Sequence, residues 1–248
     1  MPPPAKRHYP KAPIVEAVID LRVELPAQLP VEDLARAQTG EEANYPVIER
    51  VDETVGQMMV GPQLSSASAS RQLVGFLFRS ADGKQLYQAR KTGFSMSRLT
   101  PYPDWPEFRH EARRLWDVYR AIAQPTKVVR VAVRYINRID IPLPLNDFGE
   151  YLRTVPQVSP DLPQGLVGYF MQLVLPVEDL KSQAVINETI IDPVQPNTVP
   201  VVLDIDIFRT DVLPATEDDM WAFIEQLRDA KNRVFEACIT DKARELFQ

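Results

Sequence analysis

The sequence predicts an α+β protein made of two similar halves, residues 1–125 and 126–248. Three observations point to it. Stretches that alternate apolar and polar residues recur along the chain, as in half-buried strands. Two long stretches with helical spacing of apolar residues close the two halves. The order of elements in the first half returns in the second, a repeat of pattern without high identity. The halves are joined by no more than "AQPTK", too short to let them move independently, so they are expected to pack as one unit.

The first half opens with "PIVEAVIDLRVEL". Val15, Ala17, Ile19, Leu21 and Val23 point one way, while Glu16, Asp20, Arg22 and Glu24 share the other with Ile14 and Val18. "PVEDLARAQ" follows as a short helix, then "YPVIERVDET" and "VGQMMVG" as strands. "SSASAS" (Ser65 to Ser70) reads as a mobile low-complexity loop. The run from Arg71 to Leu99 is a hairpin with turn chemistry at Asp82-Gly83. A long helix begins near Asp104, with Glu107 placed for a capping box and Phe108, Ala112, Leu115, Tyr119 and Ile122 as its apolar face.

The second half restarts with "VVRVAVRYINRIDIPLP", which ends in Leu-Pro as "AVIDLRVELP" does. "NDFGEYLR" is a short helix, and "LVGYFMQLVLP", "SQAVINETII" and "VPVVLDIDIFRT" are strands. Thr216 opens a final helix whose face carries Met220, Phe223, Ile224, Leu227, Val234 and Cys238. Two β-α-β-β-β-α halves in this order can join into one curved antiparallel sheet with both long helices on its convex side. The element order resembles the saddle of the TATA-binding-protein fold or its helix-grip relatives, a likeness of order that carries no function.

Composition narrows the function classes. Hydrophobic residues make up 45% and charged residues 25%, an ordinary globular balance. Residues 1–125 hold 16 Lys+Arg and 15 Asp+Glu, residues 126–248 hold 12 and 19, so the acidic excess lies in the second half. That balance argues against broad nucleic-acid or membrane-surface binding. The single Cys238 excludes an intramolecular disulfide and fits a reducing cytoplasm. No apolar run approaches the ~20 residues that span a bilayer, and "MPPPAKRHYPKAP" lacks the apolar region of a signal peptide.

"HYPKAPIVEAVIDLRV", "FSMSRLTPYPDWPEF" and "RYINRIDIPL" together resemble a sporadically distributed family of uncharacterised bacterial proteins of about this length. The resemblance covers essentially the whole chain. It implies a bacterial origin and a shared fold, and its sporadic distribution implies an accessory role, such as a component of a defence or toxin–antitoxin-like system. It transfers no activity and no catalytic residues.

Little in the chain suits catalysis. His8 lies in the Pro-rich opening, and His110 falls on the outer side of the first long helix. Two histidines and one cysteine build no zinc site without carboxylates, and Cys238 lies on an apolar helix face as a packed thiol. P-loop, G-x-G-x-x-G and G-x-S-x-G motifs are absent, and nine glycines leave little material for a phosphate-cradling loop. No cofactor and no catalytic residue is expected. Asp204 and Asp206 point to one side of a strand, and with Glu188 they could hold Mg²⁺; the alternative is the polar face of a sheet.

The strand from Val128 to Pro142 carries Arg130, Arg134, Arg138 and Asp140 on one face. A duplicated sheet places it beside the first strand, which sets Glu16, Asp20 and Glu24 near the arginines, with Asp204 and Asp206 flanking from the other side. The face is then either laced by ion pairs or a groove for a ligand or partner protein, since arginine grips carboxylates bidentately. Tyr102 and Trp105, among prolines at a helix entrance, are a second candidate surface; they read either as a hydrophobic staple or as a partner anchor. The expectation is a non-enzymatic binding or adaptor protein for a protein or small polar ligand. The alternatives are a metal-dependent enzyme using Asp204, Asp206 and Glu188, and a nucleic-acid saddle using Arg130, Arg134 and Arg138.

Overall fold

The structure is a computed structural model that describes residues 7–60 and 65–248, with the backbone alone over 55–60 and 65–69. The opening Pro-rich residues up to Lys6 lie outside the described residues. The strands are β1 (Ile14–Glu24), β2 (Val47–Val60), β3 (Ser65–Arg79), β4 (Gln85–Arg90), β5 (Gly93–Leu99), β6 (Lys127–Pro142), β7 (Phe170–Val177), β8 (Ser182–Ile190) and β9 (Thr198–Arg209). The helices are α1 (Trp105–Ala123), α2 (Glu217–Cys238) and the short α3 (Asp241–Glu245). All nine strands form one open sheet in the order β2-β3-β4-β5-β1-β6-β9-β8-β7. The α+β class with an antiparallel sheet is as expected.

Several elements differ in detail. Ser65–Ser70 is not a loop but the start of β3, which pairs with β2 from Ser65↔Val60 onward. Strand propensity depends on context, and here an antiparallel partner supplies the hydrogen bonds that local propensity does not call for. The two strands expected over 45–61 are one strand, β2, with an irregularity between Val51 and Asp52. The first half therefore has four strands between its short and long helices, one more than the expected pattern. The short helices at Val31–Gln38 and Phe148–Glu150 are 3₁₀, and α3 was not foreseen.

The chain divides into two compact units, one of residues 1–19, 98–104 and 130–248, the other of residues 20–97 and 105–129. In the first unit, β6 and β9 pair over Val131↔Arg209 to Pro142↔Thr198. This register sets Val133, Tyr135 and Ile139 beside Ile207, Ile205 and Val201, all buried. α2 packs on β9 and covers that apolar face with Met220, Phe223, Ile224 and Leu227. Each such side chain contributes about 1.5–3 kcal/mol on burial. Thr216 caps α2 by accepting from the Asp219 amide at 3.2 Å, as its position predicted.

The second unit has an aromatic core. Phe78 stacks on Tyr87 at 4.5 Å, Phe94 meets Trp116 edge-on at 5.9 Å, and Trp116 stacks on Tyr119 at 5.6 Å. Two buried phenols of this core are satisfied by main chain: Tyr87 donates to Ala37 O at 2.7 Å and Tyr119 to Arg90 O at 2.9 Å. The β3–β4 turn forms at Asp82-Gly83 with Gly83 at φ 70°, and Asp82 Oδ1 accepts from Ser80 Oγ and the Lys84 amide.

Gly93 starts β5 at φ 146°, and a Cβ there would lie 2.1 Å from Leu21 O and 2.8 Å from Arg22 Cα, both backbone atoms. Gly93→Ala is expected to destabilise the protein by ~3 kcal/mol or more, as backbone strain adds to overpacking. Gly40→Ala, with a positive φ but nothing within 4 Å, should cost only about 1 kcal/mol. Urea unfolding of the two variants side by side checks the contrast.

Candidate functional site

Because side chains alternate along a strand, even-numbered residues of β6 and β9 share the face opposite α2. On it Arg134 donates from Nε to Asp204 Oδ1 at 2.8 Å and from Nη2 to Oδ2 at 2.7 Å, a bidentate fork. Arg130 Nη2 meets Asp206 Oδ2 at 2.6 Å, and its guanidinium lies 4.4 Å from the centre of the Phe208 ring. Arg138 forks onto Asp140, two residues along its own strand, with both bonds at 2.9 Å.

The ladder continues outward. Asn187 of β8 lies opposite Asp204 and donates to its Oδ2 at 3.1 Å. Gln172 of β7 lies opposite Asn187 and donates to its Oδ1 at 2.8 Å. Four strands thus contribute one polar row, Arg134–Asp204–Asn187–Gln172. The Asp204 side chain is only 8% exposed, while that of Arg134 is 45% exposed. The bonds to Asp204, and more weakly the charges of Asp206 and Glu16, hold the Arg134 guanidinium more firmly protonated than usual. The bonds to Asp140 do the same for Arg138.

The arginines of β6 are thus met by carboxylates of β9 and of β6 itself. Arg134 does make the expected ion pair. Glu16 acts on it through its charge rather than by contact. Asp20 pairs with Arg22, two residues along its own strand, at 3.6 Å, and belongs to the other compact unit. Tyr102 is half-buried, its hydroxyl 2.9 Å from that of Tyr135. Trp105 is buried in the first turn of α1 against Phe108, which leaves it no surface to offer as an anchor.

Glu188 does not join Asp204 and Asp206. In the β8–β9 register Asn187 faces Asp204, whereas Glu188 faces Leu203 on the α2 side of the sheet. The period of two, which put the aspartates together, is what separates Glu188 from them. Its buried carboxyl accepts from the Tyr169 hydroxyl, and burial pushes it above the usual carboxylate range. Nearby Cys238 is a packed thiol as expected, pushed up to about 11 by burial and by the Glu188 charge. His8 and His110 are exposed. Among the described residues, no three His, Cys, Asp or Glu side chains stand where they could hold a metal ion. No helix among them is long and apolar enough to cross a membrane.

Two charged clusters went unforeseen. In the first unit Lys231 is buried on the α2 face that meets β6, its Nζ 3.6 Å from the centre of the Tyr135 ring. Burial, and then the charge of Arg228, bring its amine down to about 7. The spacing Leu227, Lys231, Phe235 places it on the apolar stripe and is the signal that could have found it. In the second unit Arg114 bridges Glu41, which is buried, and Glu111, while Tyr45 donates to Glu111 at 2.9 Å. Glu111 and Arg114 are three residues apart on α1, a spacing visible in the sequence, but Glu41 and Tyr45 come from a distant segment and no local pattern announces them.

No protein-family model matches this chain, and no curated protein matches it. The geometry therefore stands by itself: an antiparallel α+β protein with a paired arginine–aspartate face in one compact unit.

Two outcomes are expected. Arg134→Ala leaves the Asp204 carboxylate to Asn187 alone and should destabilise by ~2 kcal/mol, below the ~3–5 kcal/mol of a fully buried pair because Arg134 is half exposed. Adding Asp204→Ala should recover part of that loss in urea unfolding. Lys231 binds a proton more weakly folded (about 7) than unfolded (~10.4). The unfolded state thus holds more protons between these values, so stability should rise with pH from about 7 to ~10 and stay flat below 7. Lys231→Met should remove that slope and raise stability at neutral pH, read by unfolding at a series of pH values.

Proposed function

We propose that the protein is a non-enzymatic binding or adaptor protein whose ligand, a protein segment or small polar molecule, docks on the arginine-bearing sheet face. Arg134 carries this reading. Its Nε and Nη2 are fixed on Asp204, its Nη1 has no hydrogen bond among the described residues, and its side chain is substantially exposed. Arg138 repeats the arrangement on Asp140, four residues and thus about 13 Å along β6. A guanidinium held from one side by a carboxylate offers its remaining donors to carbonyl or carboxylate oxygens and has little rotamer freedom left to lose.

The surroundings support binding over catalysis. Both oxygens of Asp204 are engaged, Glu188 lies on the opposite sheet face, and the Cys238 thiol is too weak an acid to attack at neutral pH. Each arginine faces a carboxylate, which weakens the case for nucleic acid as the ligand. The strand order supports an internal repeat of residues 1–125 and 126–248, in the manner of a duplicated saddle. Outward from the centre each half runs first strand, last strand, then stepwise back to its second: β1-β5-β4-β3-β2 and β6-β9-β8-β7. In this reading the protein is cytoplasmic and serves an accessory role in a bacterial cell.

Arg138→Lys tests the proposal, because lysine keeps the charge but cannot hold Asp140 by a fork and still present a second edge. A ligand captured from lysate by the wild-type chain should bind the variant about tenfold more weakly, a loss of ~1.4 kcal/mol, with the melting temperature unchanged. Equal binding by the variant, or chemical conversion of the captured ligand, overturns it.

A further inference from the structure

β7 ends the strand order: β8 pairs with one of its edges, and among the described residues no strand pairs with the other. The outward main-chain N–H and C=O groups of such a strand are a template for another strand. Edge strands are commonly protected by charge, and β2, at the other end of the order, carries Glu49, Arg50, Asp52 and Glu53 along its first eight residues. β7 reads FMQLVLPV and carries no charge.

The side chains add to the contrast. No residue of β7 is buried; Phe170 is 68% and Val174 58% exposed, and Val167 just ahead is 98% exposed. Among the described residues, five of the ten exposed large hydrophobic side chains fall within residues 162–175. Those on β7 stand beside the open edge on both faces, since Phe170 and Val174 share the face of Gln172 and Leu175 takes the opposite one. What satisfies an open edge with apolar side chains on both faces is a strand, which takes the main-chain bonds and covers both rows.

We propose that this strand is the β7 of a second copy, so that two sheets join through an antiparallel, two-fold β7–β7 pairing. A two-fold axis brings identical edges together antiparallel and closes the assembly at two copies, leaving neither edge open. An uncharged strand meets itself without like-charge cost, whereas a charged partner strand would find no counter-charge along β7. Pro176, a residue that sheets accept at edges and bulges, fits this terminal position.

Light scattering and sedimentation of the full chain test the pairing. The wild type should show twice the 28.2 kDa chain mass at micromolar concentration, and Val174→Lys the single-chain mass with unchanged circular dichroism and melting. If Val174→Lys fails to fold, Leu175→Lys on the other face takes its place. Amide exchange across Phe170–Leu175 should slow as wild-type concentration rises. A wild type that stays at 28.2 kDa overturns the proposal. So does a dimer whose mass survives the lysine and whose β7 amides exchange independently of concentration.

Discussion

A carboxylate can be laid into a β-sheet nearly out of reach of water only if donors meet it there, and Asp204 is met from two sides. Arg134 takes both oxygens and Asn187 takes one of them again. Asn187 in turn presents its oxygen to Gln172, so one ion pair orients polar side chains across four strands. The same pair helps set the β6–β9 register. A slip of β9 by one residue against β6 would turn Asp204 toward the apolar face under α2, away from Arg134, and bring Ile205 out of it.

The two faces of this sheet handle ionisable groups in opposite ways. On the arginine face Arg130, Arg134 and Arg138 stay charged, each paired with a carboxylate at hydrogen-bonding distance. On the α2 face they are discouraged: Glu188 and Cys238 are pushed toward their neutral, protonated forms and Lys231 toward its neutral amine, in each case chiefly by burial. The ring of Tyr135 softens the cost while Lys231 is protonated, since a cation over an aromatic face is attracted by its quadrupole. A paired face keeps its charges and directional donors, while a discharged face keeps the core apolar.

The other compact unit obtains its stability differently, from stacked and edge-on aromatic rings between α1 and strands β3 to β5. Within it Arg114 is clamped by two glutamates. That clamp leaves fewer donors than the Arg134 fork, because both glutamates take bonds from the same guanidinium. The arginine–aspartate face accordingly keeps more unengaged guanidinium donors than this cluster.

Strand alternation in the sequence by itself determined which residues of β1, β6 and β9 share a face, because side-chain direction in a strand follows a period of two whatever the partner. Helical spacing likewise determined most of the buried stripes of α1 and α2, although Ile122 and Val234 are only partly buried and Trp116, Trp221 and Phe235 are buried beyond it, and the Asp82-Gly83 turn followed from local backbone chemistry. Which strands lie side by side, and in what register, was decided only by tertiary structure. That choice gave Arg134 to Asp204 rather than to Glu16, placed Asn187 and not Glu188 in the polar row, and drew Ser65–Ser70 into β3. It also left β7 at an edge and set Lys231 over Tyr135. Pairing and packing join residues far apart in the chain, and their energies depend on burial and partners that no local window contains.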